Sequence, residues 1–160
     1  MKLTLKELQS LDILLNNLSI KENLQSRFNI VIKIDNQLWQ GNFVYFENNI
    51  TNNYYDDAIK EFFIDKEIGF NSRRLFDCNF FLTNKDFSYE KYVSIYNNVD
   101  ETYSNAFILK EFVKVIKKSA LQDFEPYRIL YNAVNLTTNT KLPFINLSSD
   151  EYEVVSLIRN

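Results

Sequence analysis

The chain has 160 residues, 46% of them hydrophobic, with a formal net charge of −3 and a pI of about 5.1. That length and apolar content suit one domain with a sizeable core, and the acidic balance gives no global attraction to nucleic acid or anionic membrane. With 0 His, 1 Cys and 2 Gly, the Ser-His-Asp and Cys-His arrangements, His-containing zinc sites, C-x-x-C pairs and Gly-rich phosphate loops are all excluded.

In chain order, residues 4–18 predict an amphipathic helix. Thr4 and Glu7 make a T-x-x-E capping box, and Leu8, Leu11, Leu15 and Leu18 share one face. Ser19 and Glu22 repeat the signature, which predicts a second short helix over about 20–25. Residues 28–46 then alternate apolar and polar as a β-hairpin does. With the turn centred on Asn36 and Gln37, Ile34 would face Trp39, Ile32 Gly41, Ile30 Phe43 and Phe28 Tyr45, placing the large apolar groups on one side.

After a polar tract over 47–53, Tyr55, Ala58, Ile59, Phe62 and Phe63 follow a helical period across 54–67, with Gly69 as its stop. Alternation returns over 75–83 through Phe76, Cys78, Phe80 and Leu82, and residues 89–96 read as a further strand from their Tyr, Val and Ile content. The longest helix is expected over 101–121, opened by Asp100 or Thr102 and buried through Tyr103, Ala106, Leu109, Val113, Ile116 and Ala120. A third strand pair is expected over 127–136 and 142–147 around Thr137, Thr138, Asn139 and Thr140. Ser148 and Glu151 make another capping box, opening a last helix through Val154, Val155 and Ile158.

The expected fold is therefore a single α+β domain over 1–160: a mainly antiparallel sheet built from about three strand pairs, interleaved with about four helices. No apolar run approaches the ~18 residues of a membrane span. The first residues lack the apolar core of a signal peptide, so the cytoplasm is the expected location. The abundant Asn, together with the Lys, Ile, Phe and Tyr usage, points to an AT-rich genome. On that view the Asn-x-Ser/Thr triplets at Asn17, Asn49, Asn135 and Asn146 follow from Asn abundance rather than from glycosylation.

Two charged helix faces are the candidate sites. Asp56, Asp57, Glu61 and Asp65 form an acidic face suited to a basic partner protein, or, through Asp57 and Glu61, to a divalent cation; a solvated face with Asp56 and Lys60 as an i,i+4 pair is the plain alternative. Lys110, Lys114, Lys117 and Lys118 form a basic stripe, with Glu111 the only acid from Phe107 to Leu121. That stripe suits a phosphate-bearing ligand or an acidic partner, or merely complements the helix dipole. Cys78, between Phe76 and Phe80, reads as a buried structural thiol. Trp39 reads as core, with Gly41 making room for Ile32 or for a covering helix. Tyr89, Tyr92, Tyr96, Tyr103, Tyr127 and Tyr131 suggest a recognition surface, since tyrosine buries area while keeping its hydroxyl bonded.

The functional expectation is a non-enzymatic, cytoplasmic protein-binding domain with no cofactor and no metal, whose partner is another protein rather than a membrane or nucleic acid. In size, acidity and lack of catalytic equipment it is similar in kind to the immunity and anti-defence inhibitor proteins of bacteria and their mobile elements, an analogy of class and not of motif. The alternatives are a nucleic-acid or phosphate-ligand module using the lysine stripe, and a carboxylate-dependent Mg²⁺ enzyme.

Overall fold

The structure is a computed structural model that describes residues 1–21, 28–43, 94–95, 103–118 and 126–159, with residues 16–21 described in backbone only. Its elements are β1 (Lys2–Thr4), α1 (Leu5–Lys21), β2 (Phe28–Ile34), β3 (Gln37–Asn42), α2 (Asn105–Lys118), β4 (Ile129–Asn135), β5 (Lys141–Asn146) and β6 (Glu151–Arg159). The six strands form one sheet in the order β1-β6-β2-β3-β4-β5, and every neighbouring pair is antiparallel. The described residues thus form two helices and a six-stranded antiparallel sheet, which overturns the expected four helices interleaved with three strand pairs. The helix expected over 54–67 and the strand over 75–83 lie outside the described residues, and of the strand expected over 89–96 only Ser94 and Ile95 are described, both helical.

The main correction is at residues 151–158, expected as a helix and found as β6. The register of β6 against β2 slips between Val31 and Ile32, which pair with Ser156 and Val154. Val155 is therefore an extra, bulged residue, 45% exposed, while Val154 and Leu157 on either side are both buried. A bulge changes the two-residue period to three locally, and the resulting i,i+3 spacing imitates a helix. Nor does Ser148 cap anything. Instead the neighbouring Ser149 Oγ donates to the Glu151 carbonyl, and the Ser149 N–H donates to the Tyr152 hydroxyl, a local turn that feeds the strand.

The first hairpin is present with its faces as expected and its register moved by two residues. Ile34 pairs with Gln37 and Ile32 with Trp39. The turn is the two residues Asp35 and Asn36, both left-handed at φ 49° and 63°, as a type I′ hairpin turn requires. A shift of two keeps every side chain on its own face. The strand pair expected over 127–147 is present as β4 and β5, its turn carrying another left-handed asparagine, Asn139, at φ 62°. With few glycines to spend, the chain puts Asn and Asp where φ is positive; their short polar side chains tolerate that region better than others do.

Gly41 makes room, as expected, but for a different neighbour. A Cβ there would lie 2.6 Å from the Tyr131 carbonyl oxygen and 2.8 Å from Leu130 Cγ, so it is strand β4 that needs the space. The same place holds a second register slip, between Gln40 paired with Val134 and Asn42 paired with Tyr131. Asn132, left-handed at φ 50°, is the residue that absorbs it.

The core lies between one face of the sheet and the two helices. Phe28, Ile30, Ile32, Leu130, Ala133, Val154 and Leu157 meet Leu5, Leu8, Leu11 and Leu15 of α1 and Ile108, Phe112, Val115 and Ile116 of α2. Trp39 is half-buried against this cluster, in line with its core reading. The Thr4–Glu7 capping box forms as expected: the Thr4 N–H donates to Glu7 Oε2 at 2.9 Å and the Glu7 N–H to Thr4 Oγ1 at 3.2 Å. At the N-terminus one element is unforeseen and one expectation is corrected. Residues 2–4 are a strand, tied to β6 by the Lys2–Glu153 and Leu3–Tyr152 pairs, and Ser19, read as the cap of a second helix, lies inside α1.

Residues 8–15 of α1 are all buried, Gln9, Ser10 and Asp12 included. A helix enclosed on every side in this way is central, not a surface cover. Its buried side chains reach backbone, although Gln9 Oε1 has no hydrogen-bond partner among the described residues. Asp12 Oδ2 accepts the Phe43 N–H at 2.5 Å, Gln9 Nε2 donates to the Tyr127 carbonyl at 2.8 Å, and Ser10 Oγ donates to the Lys6 carbonyl. Phe43 follows β3 and Tyr127 precedes β4, and these strands are neighbours in the sheet. One helix therefore holds both stems of the long excursion that carries α2.

Candidate functional site on the outer ridge of α2

The helix expected over 101–121 is α2, which starts later, at Asn105; residues 119–121 lie outside the described residues. Its cap is Ser104 and not Asp100 or Thr102: the Phe107 N–H donates to Ser104 Oγ at 3.1 Å and the Ile108 N–H to the Ser104 carbonyl at 3.0 Å. Ile108, Leu109, Phe112, Val113, Val115 and Ile116 form the buried side. Tyr103 and Ala106, expected to be buried, are exposed, because a start at Ser104 leaves Tyr103 outside the helix and turns the first residues of α2 outward.

The outward side carries Phe107, Lys110, Lys114, Lys117 and Lys118, continuing the line begun by Tyr103. Steps of four, three, four and three residues keep Tyr103, Phe107, Lys110, Lys114 and Lys117 on one ridge. The Tyr103 and Phe107 rings are stacked, with centroids 4.9 Å apart and planes 12° from parallel. They remain 37% and 38% exposed. The four lysines differ in their surroundings. Lys114 pairs with Glu111 at 2.9 Å, and Lys117 crosses to Glu7 of α1 at 2.9 Å. Lys110 and Lys118 are exposed and make no ion pair among the described residues. Pairing on the same surface thus cancels part of the stripe read from the sequence, leaving Lys110 and Lys118 as its outward charges.

Chemically, this arrangement offers a flat aromatic platform beside exposed cations. It suits recognition, since aromatic faces supply area and the cations supply orientation. Among the described residues no three His, Cys, Asp or Glu side chains converge as a metal site would require, and no helix among them is long and apolar enough to cross a membrane.

The acidic candidates Asp56, Asp57, Glu61 and Asp65, together with Cys78 and Tyr89, Tyr92 and Tyr96, lie outside the described residues. Of the other tyrosines, Tyr131 is 1% exposed and Tyr127 is half-buried. The described part of the expected tyrosine surface therefore narrows to Tyr103. Its partner Phe107 was not among the candidates, although an aromatic pair at i,i+4 beside a lysine stripe was visible in the sequence. Buried Gln9 and Asp12 were missed for a different reason: polar residues between leucines read as the wet side of an amphipathic helix.

Comparison of the chain with family models, curated proteins and solved structures finds no match.

Proposed function

We propose that this chain is a non-enzymatic protein-binding domain, acting in the cytoplasm, whose working surface is the outer ridge of α2 and whose partner is an acidic protein. The observation that supports this reading most directly is the exposed Tyr103–Phe107 stack running into the lysine ridge. Aromatic residues dominate binding hot spots, and a pair of them held rigid by stacking loses little entropy on docking. Lys110 and Lys118 would steer an acidic surface onto the platform. A long polyanion fits less well. The chain is net negative, and Lys114 and Lys117 are already matched by carboxylates, so few phosphates would be neutralised. An inhibitor of the immunity or anti-defence kind works in this way, by covering another protein's surface.

The test uses the products of genes flanking the chain's own as candidate partners, with binding measured by titration calorimetry. The variants are Tyr103→Ala with Phe107→Ala, and Lys110→Glu with Lys118→Glu. Each pair should weaken binding by roughly tenfold or more, as hot-spot truncation does, with circular dichroism unchanged. Wild-type affinity in both would remove the ridge from the interface. Tight binding of single-stranded oligonucleotide with a steep salt slope would favour the nucleic-acid reading instead.

A further inference from the structure

We draw no further inference here: the strongest candidate, the face of the sheet opposite the helices around Val31 and Tyr131, is buried there to 1% exposure, and nothing among the described residues shows what covers it.

Discussion

Replacing Asp12 by alanine tests whether α1 really holds the stem of the excursion. The carboxylate is fully buried, and its Oδ2 takes the Phe43 N–H at 2.5 Å, at the point where the chain leaves β3. Asp12→Ala removes a buried hydrogen bond and leaves a buried amide without that acceptor, so a net loss of about 2 kcal/mol is expected. For a chain of this length that corresponds to roughly 4–8 °C in Tm. Asp12→Asn keeps an oxygen acceptor and the volume, and should cost less than about 1 kcal/mol. Urea unfolding followed by circular dichroism reads both, with m unchanged if only native stability moves. Exchange at the Phe43 amide should accelerate in the alanine variant and stay slow in the asparagine variant. A change below about 0.5 kcal/mol for Asp12→Ala, which is the scale of an ordinary surface substitution, would refute the reasoning.

Three further substitutions probe the sheet and the first helix. Gly41→Ala places a Cβ 2.6 Å from the Tyr131 carbonyl, and because backbone cannot swing aside as a side chain can, a loss of about 1–3 kcal/mol is expected, with amide shifts concentrated across β3 and β4; a shift map centred elsewhere would refute the cause. Asn36→Ala, at φ 63°, should cost about 1 kcal/mol in thermal unfolding, while Asn36→Gly should be nearly neutral, since only the first adds a poorly tolerated Cβ without the local side-chain bonding of Asn. Glu7 has two duties, accepting the Thr4 N–H and pairing with Lys117. Glu7→Ala should therefore cost about 1 kcal/mol and Glu7→Gln less than half of that, because the half-exposed ion pair contributes little beside the cap; equal losses would show that the ion pair outweighs the cap.

Where the sequence could be read, a single physical pattern governed the segment. The hairpin of β2 and β3 was legible because alternation and one buried face demand it, and its true turn, Asp35 and Asn36, was missed by one position because Asn36 with Gln37 looked equally turn-like. β6 was illegible because the bulge at Val155 replaces the period of two with a helix-like spacing. Strand β1 was too short to show any period at three residues. The candidate ridge was half legible: the lysines lay in plain spacing, but the start of α2 depends on Ser104, and moving that start changed Tyr103 from expected core to exposed platform. The matching of Lys117 with Glu7, 110 residues apart in sequence, is tertiary and carries no local signal.

That last pairing bears on whether the ridge is a surface kept for binding or one left over from folding. The buried side of α2 is complete without Tyr103 and Phe107: six apolar residues from Ile108 to Ile116 fill its contact with the core, and Lys117 fastens the helix to α1. The stacked pair lies outside that set of six and stays 37% and 38% exposed, so its contribution to stability and its contribution to binding are separable by experiment. A stabilising role for the stack itself predicts that Tyr103→Ala with Phe107→Ala lowers Tm. The binding role predicts an unchanged Tm with lost partner affinity. These outcomes are opposite in both readouts, and one pair of variants separates them.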